Sequence, residues 1–196
     1  MQLTRESIIS ASLEIADTYG LADMTMRRVA RQLEVAPGAL YWHFPSKQAL
    51  IAAIGQAICA PVLESTPNVI ADTWPQATHD ICARLRSVLL DHRDGAEIVS
   101  AALPDPTLRT ALINTISAAL NVGSELGPKA CETGATTLLH FIMGVTLHEQ
   151  SVMALRLATG SDPHSEQHSP CDLAEEEAFR RGVSVVLKGL GAPCDI

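Results

Sequence analysis

The residues best equipped for chemistry crowd into one stretch, TMRRVARQLEVAPGALYWHFPSKQAL, from Thr25 to Leu50. Arg27 brings a guanidinium that can fork onto a guanine edge or a phosphate, and Lys47 adds a point cation. Tyr41, Trp42 and His43 stand side by side as a phenol, an indole and an imidazole, flat groups whose polar tips suit phosphates and sugars. Ahead of them lie Pro37, Gly38 and Ala39, compact enough to let a helix end approach another body closely. This pattern fits the major groove of a nucleic-acid duplex, where the first residues of a second, reading helix meet base edges and flanking donors hold the backbone. Leu40 and Phe44 have the spacing of core residues. Burying Tyr41, Trp42 and His43 as well requires a helix enclosed almost all round, so the face from Pro37 to His43 is expected to be open to solvent.

The elements that must hold this face read as short helices. Thr4 is a candidate N-cap for a helix carrying Ile8, Ile9, Ala11, Leu13, Ile15 and Ala16 inward and stopping at Gly20. Thr25 caps a second helix, MRRVARQL, with Met26, Val29, Ala30 and Leu33 inward. Pro37 opens a third, PGALYWHF, which Pro45 ends. Ser46 starts a fourth, expected to halt near Pro61, followed by a loop around Thr66 to Asn68. Further helices are expected over 74–92 with Asp72 or Thr73 as cap, 94–102, 106–122, 128–158 and 173–190, with an exposed loop at 159–172 and a frayed end, APCDI. The fold class is therefore all-α: residues 1–46 form a three-helix helix-turn-helix domain and 47–196 a helical core, with 47–60 as connector.

Composition agrees. The chain is 47% hydrophobic but only 4% aromatic, which suits packed helices better than a sheet sandwich. The formal charge of -8 opposes binding to a polyanion, but its distribution does not: in residues 1–50 Arg5, Arg27, Arg28, Arg31 and Lys47 balance Glu6, Glu14, Asp17, Asp23 and Glu34, so the whole acidic excess falls beyond residue 50. Neither an apolar run long enough to span a membrane nor a secretory leader is evident, and a cytoplasmic location is expected. Cys59, Cys82, Cys131, Cys171 and Cys194 are scattered and read as reduced thiols, not as a disulfide framework or zinc site. No cofactor or metal is expected, and His79, His92, His164 and His168 receive no role. An enzymatic reading would use His140 with Glu149 or Cys131, but His140 and Glu149 are nine residues apart on one helix and cannot meet within a subunit. A ligand-binding module without DNA recognition is a third reading, disfavoured by the intact stretch from Arg27 to Lys47.

With these residues in view, the chain resembles the tetracycline-repressor (TetR) family. Leu3 to Leu50 is similar to the family's DNA-binding head almost throughout, and LLDHRDGAEIVSAALP and HFIMGVTLHEQ are similar to the ligand-binding body of the tetracycline repressor subgroup. The resemblance implies a repressor that binds operator DNA as a homodimer through a four-helix bundle of residues 128–158 and 173–190, released by a small effector. DNA contacts are then expected from Thr25, Arg27, Pro37, Gly38, Ala39, Tyr41, Trp42, His43 and Lys47. Gly134, Ala135, Gly144 and Gly182 would let bundle helices approach closely. Departures fall at the drug site: the histidine following RDGA in that subgroup stands here as Val99, the polar residues after it as Ala102 and Leu103, an asparagine and an aromatic as Ile81 and Leu85, the histidine ending the connector as Leu63, and an acid as His148, while His140 is retained. Aliphatic groups cannot ligate magnesium, so a tetracycline–magnesium chelate is not the expected effector. The expected cavity is apolar, lined by Leu63, Ile81, Leu85, Val99, Ala102, Leu103 and Met143, with His140, His148 or Thr146 as polar anchors.

Overall fold

A computed structural model describes residues 3–64, 73–159 and 170–191. Their regular structure is helical: α1 (Arg5–Tyr19), a 3-10 turn (Leu21–Asp23), α2 (Met26–Gln32), α3 (Pro37–Tyr41), α4 (Lys47–Leu63), α5 (Trp74–Leu90), α6 (Gly95–Ala102), α7 (Pro106–Leu120), α8 (Pro128–Ala158) and α9 (Pro170–Gly191). The starts follow local chemistry. Thr4 and Ser7 cap α1 reciprocally, the Thr4 side chain accepting the Ser7 N–H at 3.1 Å. Gly20 closes α1 at φ 92, a conformation L side chains rarely adopt.

The chain forms two compact units. One comprises Met1–Pro61 with Val88–Arg109, the other Val62–Ser87 with Thr110–Ile196. Compactness therefore does not divide the chain at 46/47, and residues 88–109 belong with the head. In this first unit Ile8, Ile15, Met24, Val29, Leu40, Phe44, Leu50 and Ile54 are buried, as are Ile98, Val99, Ala102 and Leu108 of the later segment. Polar contacts tie the two segments together. The Asp94 carboxylate accepts the Leu21 N–H at 2.7 Å, Asp17 accepts the Arg93 N–H at 3.2 Å and faces His92 Nδ1 at 3.0 Å, and the Arg93 guanidinium donates to the Thr18 carbonyl at 2.9 Å. Gly55 lies so close to Ala102 that a Cβ there would collide with it.

In the second unit the buried faces of α5 (Ala77, Ile81, Cys82, Leu85), α7 (Leu112, Ile116, Ala119, Leu120), α8 (Leu138, Leu139, Ile142, Met143) and α9 (Phe179, Val183, Leu187) supply the core. Arg86 pairs with Glu149 at 3.0 Å and lies over the Phe179 ring, which stacks on Phe141 with centroids 5.7 Å apart. A Cβ at Gly134 would strike Leu190 and Leu120, and one at Gly182 would strike Phe141. Both glycines thus serve close approach within the protomer. Gly144 is exposed with open space around it.

Other boundaries differ from expectation. Pro61 lies inside α4, which continues to Leu63, because a proline in the last turn forfeits one hydrogen bond without interrupting a long ladder. α3 closes at Tyr41, and the chain tightens so that the His43 and Phe44 N–H groups both reach the Leu40 carbonyl; Pro45 bars further helix. α9 starts at Pro170, inside the segment expected to be a loop. The loop expected at 66–68, the Asp72 cap, His164, His168, Cys194 and the APCDI end lie outside the described residues.

Candidate nucleic-acid interface

α2 and its turn set the geometry of the candidate reader. The Thr25 Oγ1 accepts the Arg28 N–H at 3.2 Å, capping α2. Met26, Val29 and Ala30 are buried, which turns Arg27 and Arg31 to solvent. Arg28 is engaged within the head: it pairs with Asp23 at 2.8 Å and lies over the Tyr19 ring at 3.7 Å. Asp23, Thr25, Arg27, Arg28 and Arg31 line a shallow hollow of about 380 Å³. α2 ends in a double hydrogen-bonded closure, Val35 N–H to the Ala30 carbonyl and Glu34 N–H to the Arg31 carbonyl, with Glu34 at φ 55.

α3 follows with Pro37 in its first turn. Leu40 and Phe44 are fully buried, and the tightened turn between them leaves Tyr41 51% and Trp42 91% exposed. Pro37 and Gly38 are exposed, Ala39 and His43 half-buried, and Lys47 is exposed at the start of α4. Helical spacing puts Gly38 and Trp42 on the ridge opposite Leu40. The expectation that the face from Pro37 to His43 is open to solvent holds at Pro37, Gly38, Tyr41 and Trp42, while Ala39 and His43 are half-buried. Sequence reasoning missed the brace behind them: the Arg5 guanidinium donates to the His43 carbonyl and lies 4.2 Å from the centre of the Phe44 ring, pinning the start of α1 to the end of α3. Arg5 had counted only as a charge, and no local pattern marks a contact spanning 38 residues.

The residues expected to line an effector cavity are distributed over both units. Ile81, Leu85 and Met143 are buried and Leu63 half-buried; Val99 and Ala102 are buried and Leu103 half-buried. His140 and His148 are both exposed, because α8 turns Leu139, Ile142, Met143 and Thr146 inward and leaves them on its outer side. Thr146 is the polar group buried there, and its Oγ1 has no hydrogen-bond partner. A hollow of about 280 Å³ in the second unit is lined by Ala77, Asp80, Ile81, Ala83, Arg84, Thr115 and Ala119; of the expected cavity residues only Ile81 reaches it. His79 meets the Ser184 hydroxyl at 3.1 Å, and partial burial, with Arg180 nearby, lowers its pKa. Of the groups that the disfavoured enzymatic reading would use, Glu149 is paired with Arg86, Cys131 is buried and His140 is exposed.

Residues 8–54 match the sequence model of the bacterial regulatory proteins of the tetR family. BioQ of Mycobacterium smegmatis is 32% identical and superposes with a TM-score of 0.75 over 96% of this chain and 98% of its own. The chain belongs to the tetR family. BioQ bound to its natural double-stranded DNA operator is similar over 98% of this chain and 100% of its own, at 31% identity and a TM-score of 0.78. The tetracycline repressor protein class D of Escherichia coli is 26% identical over 200 residues, covering 96% of this chain and 89% of its own. This tetR-family chain is a DNA-binding transcription regulator and not an enzyme. Among the described residues no helix is long and apolar enough to cross a membrane.

Proposed function

We propose that this tetR-family regulator is a cytoplasmic homodimeric repressor that holds a near-palindromic operator through paired α2–α3 readers and releases it when a small, largely apolar effector enters the helical core. The observation that carries the reading is the outward ridge of α3: Tyr41 and Trp42 stand in solvent while Leu40 and Phe44 are sealed beneath them. Trp42, at 91% exposure, makes almost no packing contact in the free protein. In the complex Thr25, Tyr41, Trp42, His43 and Lys47 hold phosphate and sugar, Pro37, Gly38 and Ala39 approach base edges, and Arg27 reads a guanine.

Dimerisation is supported by apolar side chains left uncovered on α8 and α9, among them Leu147, Met153, Leu155 and Leu157 on the first and Val185, 69% exposed, on the second. A two-fold axis through such a bundle would set two readers about 34 Å apart, one helical turn of duplex. The effector is apolar because Leu63, Ile81, Leu85, Val99, Ala102, Leu103 and Met143 offer aliphatic or thioether surface, with Thr146 as polar anchor, and it is not a tetracycline–magnesium chelate because these side chains do not ligate magnesium. Val99, Ala102 and Leu103 belong to the compact unit that carries α3. A ligand that presses on them gains differential affinity for one head position over another, which is the condition for shifting the equilibrium.

Footprinting on the DNA flanking the chain's own gene tests the reading, alongside light scattering of the free protein. The expected result is two protected half-sites about one helical turn apart, a dimeric mass, and loss of protection in Trp42→Ala with thermal stability unchanged. A monomer in solution, or a footprint that survives Trp42→Ala, would refute it.

A further inference from the structure

The start of α5 and the end of α9 border a hollow of about 500 Å³, within the size range of small-molecule sites. It shares no residue with the operator face or with the core side chains offered to an effector. Trp74, Pro75 and Leu187 give it an apolar wall, and His79, Ser184 and Lys188 add polar groups. Pro75 and His79 are one helical turn apart, as are Ser184 and Lys188, so each helix turns one face to the hollow. Lys188 and the Trp74 indole have no partner among the described residues. His79 is committed on one side only. The Ser184 hydroxyl donates to the Arg180 carbonyl at 3.0 Å, which spends its single hydrogen, so it accepts from His79 Nε2 at 3.1 Å. Nδ1 is left with a lone pair and no donor among the described residues. Burial and the Arg180 guanidinium lower the His79 pKa against the pull of Asp80, so the ring is neutral at neutral pH.

From this pairing of a flat apolar wall with an unpaired cation, we propose that the hollow binds a small aromatic carboxylate. Its ring lies against Trp74, Pro75 and Leu187, and its head meets Lys188 with His79 beside it. The charge count selects the head. With His79 neutral, the Lys188 ammonium is the one full charge among the lining residues, which balances a monoanion and not the nearly doubled charge of a phosphate monoester. The indole selects the body, because offset stacking on its face adds to the burial that an aliphatic tail would share. A carboxylate brought beside His79 favours the imidazolium, whose added Nδ1 proton then faces the ligand as a donor. The charged groups around His79 are Asp80 on its own helix, which favours that proton, Arg180 on α9, which opposes it, and Lys188 in the same lining. The carboxylate offsets the opposing cation, so affinity rises as pH falls through the titration of His79. The site is separate from the effector cavity proposed above and stands without it.

Isothermal titration calorimetry of the full-length protein tests the proposal with 2-naphthoate and its uncharged analogue 2-naphthylmethanol. The indole N–H signals in nitrogen-15 NMR locate the site, since the chain has two tryptophans and only Trp74 lines the hollow. 2-Naphthoate should bind once per chain and about tenfold more tightly than the alcohol, and should shift the Trp74 signal while leaving that of Trp42 in place. Lys188→Gln, at an exposed position, should lose that preference with Tm unchanged, and Lys188→Arg should retain it. Affinity of the native protein should be several-fold higher at pH 6 than at pH 8, and His79→Gln should flatten that dependence. No binding at millimolar 2-naphthoate, equal affinity for the alcohol, an unmoved Trp74 signal, or a Lys188→Gln protein that still prefers the carboxylate overturns the proposal. Native affinity that does not change with pH overturns the part given to His79.

Discussion

Glu34 offers a test of how the reader is held. At φ 55 it occupies the residue after the α2 C-cap, where the backbone turns left-handed so that the Val35 and Glu34 N–H groups can close on the Ala30 and Arg31 carbonyls at 3.0 and 3.2 Å. A side chain in that conformation costs about 1–2 kcal/mol, because Cβ crowds the following carbonyl oxygen. Glycine removes that strain but gives back about 0.4–1 kcal/mol through the greater freedom of the unfolded chain. Glu34→Gly should therefore stabilise by roughly 0.5–1 kcal/mol, a rise in Tm of about 1–3 °C for a chain of this size. Nothing else is lost, since the Glu34 side chain is exposed. Glu34→Ala removes the same charge but keeps the Cβ, so its Tm should stay close to that of the native protein. Thermal unfolding followed by circular dichroism measures both. A lower Tm for Glu34→Gly, or equal gains for the two variants, would refute backbone strain as the cause.

Three further outcomes are expected. Gly182→Ala should destabilise by about 1–3 kcal/mol, because its Cβ meets the Phe141 ring, which is itself stacked on Phe179; calorimetry should show the Tm falling by several degrees. Asp94→Ala leaves the Leu21 N–H without its carboxylate and should cost on the order of 2 kcal/mol in urea unfolding, whereas Asp94→Asn, which keeps an acceptor, should cost less. Burial pushes the Cys59 and Cys82 thiols up from 9.0 to about 12, so both should resist alkylation at pH 8 until the protein unfolds, as peptide mapping will show. The sign follows: the folded state favours the neutral thiol, so this contribution to stability is complete below pH 9 and is lost as pH rises toward 12.

What could be read from sequence was what depends on near neighbours. Thr4, Gly20, Thr25 and Pro37 act within four residues of themselves, and each marks an element boundary at or beside the expected position. The exposure of Tyr41 and Trp42 followed from helical period alone, since Leu40 and Phe44 already claim the inward side. His140 shows where that reasoning stops. It lies on a helix of 31 residues that is apolar over more than one face, so periodicity cannot say which face a protomer buries, and the structure leaves His140 exposed. Glycines were ambiguous for the same reason: a small residue marks close approach but not of what, and Gly134 and Gly182 proved to serve Leu190, Leu120 and Phe141 of their own chain.

The membership of residues 88–109 in the head's compact unit was the least legible feature and has the widest consequence. Its contacts join a side chain to a backbone group more than fifty residues away: Asp94 to Leu21, Arg93 to Thr18, Gln48 to Ala101. None leaves a trace in local pattern, because an aspartate ahead of a helix reads as an N-cap. Asp94 holds that position for α6, yet its side chain makes no cap bond and its carboxylate instead receives the N–H of Leu21, just past the end of α1. Because α6 and the 3-10 turn share that bond, a shift of α6 must either carry the turn after α1 with it or break a charge-assisted hydrogen bond. Gly55, which has no room for a Cβ beside Ala102, couples α4 to the same helix by contact. Any displacement of Val99, Ala102 or Leu103 therefore acts inside the compact unit that holds α3.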